Sequence, residues 1–449
     1  MDYSRIISFL DFVIAPIYIL AILLYASSIQ NKKIKENPGY RYFTLGIAAK
    51  IVGAVGLCLI YVYYYDEGGD TISYNADSSS LLKLLFRSPS DFFDVWLAPL
   101  TRKTRYYFPN MLYFSSDSNA FMVCRLLVPI RLICFDSYLL SSIVMAVVSF
   151  TGVWKLYEVF CDCYPALYKH FALAVIFTPS VVFWGSGMLK DSWTLAAAGW
   201  YCYSLYMIFI KGGKLLSSVV TLLIAMFLLI TIKPYIFVGL LPGSMLWMIW
   251  SRIAKIKSTF LKIIIAPSIM IAGMGLGIGL WMLTSSNLGE YGSLDSMILK
   301  ASVASEDLKQ DYYQGNSFDL GAYDPTLVGM LSKFPIATVT GLFRPFILEA
   351  KNIVMAVSGL ENLFILGFAF IVLLRKPRTA LMNLFTNPLV LFCLIFAVFF
   401  AFSVAISTSN FGALVRLRIP LMPFLLSGLM IVNYANKSAG ISSQQSQTL

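Results

Sequence analysis

Five places in the sequence set ionisable residues at the ends of apolar segments, and the chemistry this chain has to offer is concentrated there. Tyr65-Asp66-Glu67-Gly68-Gly69-Asp70-Thr71-Ile72-Ser73-Tyr74 puts three carboxylates around a Gly-Gly pair. Lys190-Asp191 follows the run Pro179-Ser180-Val181-Val182-Phe183-Trp184-Gly185-Ser186-Gly187-Met188. Lys233-Pro234-Tyr235 is the third place and Arg344-Pro345 with Glu349 the fourth. The fifth is Asn410-Phe411-Gly412-Ala413-Leu414-Val415-Arg416-Leu417-Arg418-Ile419-Pro420. Carboxylates facing several cations suit a substrate that carries an anionic phosphate and an acceptor that must lose a proton. Arg and Lys bind phosphate oxygens through charge-assisted hydrogen bonds. A carboxylate beside the acceptor serves as general base or holds a divalent ion. Taken singly, each charge reads as an interfacial residue whose head reaches water along an apolar stem. Five such places on one face favour a shared cavity instead. Gly68-Gly69 allows a tight turn that fixes Asp70 just beyond an apolar segment.

Other residue types offer less. Most of the seven cysteines sit inside apolar runs, where they act as small apolar side chains. Cys161-Asp162-Cys163 stands near His170, the single histidine, and does not complete a four-ligand metal set. The net charge of +11 is scattered at segment ends and forms no basic stripe, so nucleic acid is not an expected partner.

The elements that must position these charges are membrane helices. The chain has 449 residues, 58% of them hydrophobic and 13% charged, and a mean hydropathy of +0.75. A soluble domain carries about 25% charged residues, and the deficit is what a lipid-facing surface requires. Apolar windows fall near 8–28, 43–64, 136–160, 171–189, 192–210, 215–232, 235–251, 263–284, 352–374, 387–407 and 417–434. The fold class is therefore an all-α polytopic membrane protein of about eleven spans. Lys32, Lys33 and Lys35 follow the first window where a cleavage site would need small residues, so that window is expected to be a retained helix.

Every second connection is basic: Lys32 to Arg41, then Lys169, Lys211 with Lys214, Arg252 to Lys262, and Arg375 to Arg378. The positive-inside rule makes these cytoplasmic, with the N-terminus outside and the tail inside. Two long outer segments result, 66–136 and 285–351. The first contains amphipathic stretches at 80–87 and 91–97, suited to the membrane interface, and also Arg102, Lys103 and Arg105. The second is polar and acidic. Residues 1–434 form the membrane domain, and 435–449, rich in Ser and Gln, are expected to be a disordered cytoplasmic tail. Gly273, Gly275, Gly277 and Gly279 read as a close helix-packing stripe.

Gly-Gly-Asp-Thr-x-x-Tyr at the start of the first outer segment resembles the glycosyltransferase C superfamily. The run at 179–192 is similar to a segment of bacterial membrane glycosyltransferases of the dolichyl-phosphate-mannose mannosyltransferase-like group. Asn-x-Gly-x-x-x-Arg-x-Arg-x-Pro-x-x-Pro at 410–423 looks like their last outer turn. In that family the first long loop follows the first helix; here it follows the second, and no large C-terminal soluble domain is present in the sequence. The resemblance does not extend over 285–340.

The resemblance implies a polyprenyl-phosphate-linked sugar donor and a glycan, lipid or protein acceptor at the outer face of a bacterial inner membrane. In such a mechanism Asp70 would deprotonate the acceptor, with Asp66 or Glu67 orienting it. Lys190, Lys233, Arg344, Arg416 and Arg418 would neutralise the leaving phosphate, with Asp191, Glu349 and Tyr74 supporting them. A divalent cation (magnesium or manganese) is compatible with the carboxylates but not required. Membrane polysaccharide polymerases and ligases using diphosphate-linked oligosaccharides share this layout. A transporter or flippase of a lipid-linked glycan is the non-enzymatic alternative. It would place ionisable residues near the bilayer midplane on broken helices, where Lys50 is the clearest candidate, and no internal repeat supports it.

Overall fold

The computed structural model describes residues 6–65, 69–253, 259–284, 294–310 and 316–445. Among these the chain is helical, apart from one isolated bridge between Ser317 and Asn410. Among the described residues eight helices are long and apolar enough to cross a bilayer, which makes this a polytopic membrane protein. They begin with α1 (Phe9–Lys33) and α2 (Phe43–Tyr63). Helix α1 opens on a capping box between Ser8 and Asp11. The second oxygen of Asp11 accepts a hydrogen bond from Ser137 Oγ, which ties α1 to the entry of the third long helix.

The segment between α2 and the third long helix is more ordered over its described residues than its sequence suggests. It comprises α3 (Asp70–Arg87), α4 (Pro89–Leu97), α5 (Arg102–Arg105) and α6 (Ser118–Ile133). Helix α6, not expected from hydropathy, packs along α3. Arg131 of α6 is buried against Asp136 and donates to Asn75 Oδ1 at 2.6 Å. Buried Asp77 of α3 accepts the backbone N–H groups of Tyr113 and Phe114 at 3.0 and 2.8 Å, pinning the strand of chain that returns to α6.

Helix α7 (Tyr138–Cys163) is the hub, packed on α2 and on α10 (Lys190–Tyr206). The α7–α10 crossing depends on glycine. A Cβ on Gly199 would lie 2.0 Å from the Gly152 carbonyl oxygen, and one on Gly152 would lie 2.1 Å from that of Ala196. Small residues at such a crossing let two backbones touch.

The expected fourth span, 171–189, is not one continuous helix. After α8 (Tyr168–Phe171) the chain widens into a π-helical turn, Ala172–Ile176, breaks at Phe177, and restarts as α9 (Pro179–Trp184). Two local causes are visible. Pro179 has no N–H to continue the ladder, and Thr178 Oγ1 bonds back to the carbonyls of Leu173 and Ala174. The six-residue α9 is capped from other helices. The carboxylate of Glu361 accepts Ser180 N–H and Oγ–H at 2.8 and 2.7 Å at its start. Lys50 Nζ, fully buried, donates to the carbonyls of Val181 and Gly185 at 3.1 and 2.7 Å near its end, and to Ser149 Oγ. An anion at the N-terminus and a cation at the C-terminus both complement the helix dipole.

Downstream lie α11 (Leu215–Ile232), α12 (Pro234–Ile253) and α13 (Thr259–Thr284). The glycine stripe of α13 is only half a packing surface. Gly273 and Gly277 meet Pro242 and Val238 of α12, whereas a Cβ on Gly275 or Gly279 would meet nothing. The segment 285–351 contains, in its described residues, α14 (Leu294–Asp307), α15 (Leu327–Ser332) and α16 (Phe334–Phe343). It is not wholly a loop, since α16 is apolar and packs against the bundle. The remaining helices are α17 (Ile353–Arg375), α18 (Pro377–Thr386), α19 (Pro388–Ile406), α20 (Phe411–Leu417) and α21 (Met422–Gln445). Helix α16 lies on α19 so closely that a Cβ on Gly341 would sit 2.2 Å from Ala401 O. Helix α21 runs to Gln445, so the tail expected to be disordered from Ala435 is helical over most of its length.

Candidate functional site

The start of α3, the starts of α10 and α12, the end of α11 and all of α20 meet at one end of the bundle, and their charged residues meet with them. Asp70 is the first residue of α3. Gly69 before it has φ +140°, a conformation that favours glycine, and its Cα faces the Tyr61 ring, which a Cβ would approach to 2.6 Å. Gly69 can therefore lie flat against that ring, with the Asp70 carboxylate on the positive end of an 18-residue helix.

Arg416 comes from α20, whose start is fixed by Asn410: its side-chain oxygen accepts the N–H groups of Gly412 and Ala413. Arg416 Nη1 lies 2.7 Å from Asp70 Oδ2 and donates to Tyr61 Oη at 3.3 Å. Its Nε lies 3.7 Å from Asp191 Oδ2 and makes no hydrogen bond. The other oxygen of Asp191 accepts from Lys233 Nζ at 2.5 Å. Asp191 sits in the first turn of α10, and Lys233 occupies the junction of α11 and α12. The result is a ladder of alternating charge, Asp70–Arg416–Asp191–Lys233, graded from open to closed. The Asp70 side chain is 44% exposed and Arg416 21%, whereas Asp191 and Lys233 are 3% and 5%. Burial works against the Arg416 charge. Asp70, Tyr61 and Asp191 outweigh it and hold the guanidinium well above its usual pKa.

Lys190, next to Asp191 in sequence, turns to a different partner. Its Nζ lies 2.8 Å from Asp117 Oδ2, while Asp117 Oδ1 accepts the N–H groups of Asn119 and Ala120 as the N-cap of α6. Burial raises the Asp117 carboxyl, but Lys190 and the Ala120 N–H more than reverse this and hold it below the usual carboxylate value. One turn of α10 thus joins the start of α6 to the core of the site.

Arg344 pairs with Glu349 through Nε at 3.1 and 3.2 Å and through Nη2. The guanidinium also lies over the rings of Phe318 and Phe411, 5.6 and 5.0 Å from their centres. Burial raises the Glu349 carboxyl, but Arg344 and the Phe346 N–H bring it below its ordinary value. Phe318 reaches this place because its N–H donates to Ser409 O at 2.7 Å, bringing the chain between α14 and α15 onto the turn that opens α20.

Arg418 does not belong with these cations. It is fully buried, and Nη1 donates to the carbonyls of Gly341, Leu342 and Arg344 while Nη2 donates to Asn362. These carbonyls close α16, so Arg418 caps a helix end. The structure commits the Arg418 guanidinium to these groups and does not bring it to Asp70 with Arg416. Tyr74 is also buried, stacked on Phe114 with ring centres 4.5 Å apart, and supports α3 from behind. Asp66 and Glu67 lie outside the described residues. Sequence reasoning passed over Tyr61 and Asp117. For Asp117 the signal was present, since Asp-Ser-Asn before an apolar run is an N-cap signature.

Among the described residues no three His, Cys, Asp or Glu side chains are grouped to hold a metal ion. Each expected cation at the site already has a carboxylate: Lys190 has Asp117, Lys233 has Asp191, Arg344 has Glu349, and Arg416 has Asp70 and Asp191. An incoming anion must therefore compete for Arg416 with Asp70, the most exposed carboxylate of the ladder. The chain matches no protein-family model, no curated protein and no solved structure.

Proposed function

We propose that the chain is a membrane glycosyltransferase that moves a sugar from a polyprenyl-phosphate donor to a glycan, lipid or protein acceptor. The proposed location is the outer face of a bacterial inner membrane, in an eleven-span arrangement with the N-terminus outside and the C-terminus inside. The observation that carries this reading is the Asp70–Arg416 pair at the open end of a charge ladder. When the donor phosphate takes Arg416, it releases Asp70 from its ion pair. The freed carboxylate accepts the acceptor hydroxyl proton as the acceptor oxygen bonds to the anomeric carbon. The bond from that carbon to the phosphate oxygen breaks, and the electron pair leaves with the polyprenyl phosphate. Arg416 neutralises the departing charge in a partly buried setting where such stabilisation is large. Lys190 is the second cation with access to it. Asp191 and Lys233 hold Arg416 in place, and Arg344 with Glu349 anchors the second outer segment at the start of α20. The same residues would serve a polymerase or ligase whose donor carries a diphosphate.

The test is transfer of labelled sugar from a polyprenyl-phosphate donor by the protein in proteoliposomes. Transfer by the parent and its loss in Asp70→Asn, with correct insertion, are the expected results. Full transfer by Asp70→Asn would overturn the assignment. One observation favours the transporter alternative: α9 is a short helix in the broken apolar segment 171–189, with Glu361 and Lys50 at its ends. Movement of donor lipid between leaflets without any sugar transfer would support that reading instead.

A further inference from the structure

A cavity of about 500 Å³ opens between the first outer segment and the end of α11, and none of Asp70, Lys190, Asp191, Lys233 or Arg416 lines it. Its apolar wall includes Phe121 and Met122 of α6 and Phe227 and Ile230 of α11; its cations are Arg105 and Arg125. Arg125 is committed to structure, donating to Val95 O and Ala98 O and lying 4.9 Å from the Phe121 ring centre. Arg105 is exposed and donates one N–H, from Nη2, to Ser115 O at 2.8 Å.

The surroundings of the cavity are those of a membrane interface. Helix α11 is a membrane-crossing helix with Leu223 and Phe227 exposed along one side. Between Asp94 and Asp117 the chain carries Arg102, Lys103 and Arg105 and no carboxylate. Tyr106 and Met111, in the same stretch, are 81% and 89% exposed. An aromatic ring beside basic residues at the edge of an apolar surface is the arrangement that anchors proteins at lipid headgroups. A tail lying against Phe227, Ile230 and Met122 places a headgroup beside Arg105.

We infer that this cavity is a binding site for an anionic glycerophospholipid of the surrounding bilayer, with its phosphate at Arg105 and an acyl chain along α11. The inference goes beyond the transferase reading and does not depend on it. The cavity is separate from the charge ladder but mechanically joined to it. Ser116 and Ser118 line the cavity, and Asp117 between them holds Lys190. A bound lipid thereby braces the loop that carries the Asp117–Lys190 pair.

The test is titration of purified, detergent-solubilised protein with phosphatidylglycerol, phosphatidylcholine or polyprenyl phosphate, followed by native mass spectrometry and thermal unfolding. Phosphatidylglycerol is expected to be retained and to raise the unfolding temperature, with phosphatidylcholine ineffective. Arg105→Gln is expected to weaken retention by roughly tenfold, the loss of one charge-assisted contact. Met122→Trp, which fills the cavity, is expected to remove it. Because Arg105 is exposed, its variant keeps the test meaningful even if Met122→Trp misfolds. Unchanged phosphatidylglycerol retention in Arg105→Gln overturns the inference. So does retention of polyprenyl phosphate in preference to phosphatidylglycerol, which would make the cavity part of a donor site.

Discussion

Asp70 and Arg416 form an ion pair at 2.7 Å in which the carboxylate is more exposed than the guanidinium, 44% against 21%. An exposed pair contributes about 1 kcal/mol or less to stability, so the weight of this contact lies in what it orients. Arg416 is held from below by buried Asp191, whereas Asp70 meets solvent and stays within reach of a ligand.

Asp70→Asn separates the two functions given to that residue. Loss of a general base lowers turnover by roughly 10²- to 10⁴-fold. Removing the charge that competes for Arg416 leaves donor binding equal or tighter. Donor titration beside single-turnover transfer measures both, and weaker donor binding in this variant would contradict the competition between phosphate and Asp70.

Asp191→Ala leaves Lys233 buried with no opposite charge. Breaking a buried pair from one side costs about 3–5 kcal/mol, so the variant is expected to unfold at markedly lower temperature. Adding Lys233→Met should restore much of the loss. A double variant no more stable than Asp191→Ala would show that the pair is not the source of the effect.

Asp117→Asn isolates the Lys190 ion pair, because Asn caps a helix about as well as Asp. The Asp117 carboxyl is held below its unfolded value, so its contribution is complete above about pH 4. That contribution fades as pH falls further, through the folded value. The parent should therefore lose stability relative to Asp117→Asn only on the acid side of about pH 4. With both partners partly exposed, the difference should not exceed about 1 kcal/mol. Parallel unfolding curves across that range would remove the charge from the account.

Arg418→Gln strips the C-terminal carbonyls of α16 of their donor. Each buried acceptor left unsatisfied costs about 1–3 kcal/mol. Low yield and low thermal stability are expected, with an unchanged donor KM in whatever folds. A raised KM at normal stability would return Arg418 to the phosphate site.

Arg416 and Arg418 show where sequence reading stops. They are two residues apart at the end of one short helix, equally basic and equally close to an apolar segment, yet one reaches Asp70 and the other disappears beneath α16. Nothing local distinguishes them, because the difference is set by α16, some seventy residues upstream. The long apolar helices were legible, since bilayer thickness imposes their length and composition. Helix α6 was not, because Arg125 and Arg131 interrupt its apolar pattern while finding partners in the first outer segment. The break before α9 had a visible cause in Thr178-Pro179, but Lys50 and Glu361, which make it tolerable, lie 131 and 181 residues from the groups they cap.

Those separations also set an order of events during synthesis. When the chain has been made only as far as the third long helix, Lys50 is already in a membrane segment with Ser149 as its one eventual partner. Its two carbonyl acceptors emerge later, and Glu361 much later still. An ammonium without partners is unstable in hydrocarbon by several kcal/mol. The buried site of Lys50 in the second helix is therefore complete only when α9 supplies its two carbonyls. The packing around α9 thus joins the second helix to a carboxylate near the far end of the chain, so that neither end of the sequence can form this part of the interior by itself.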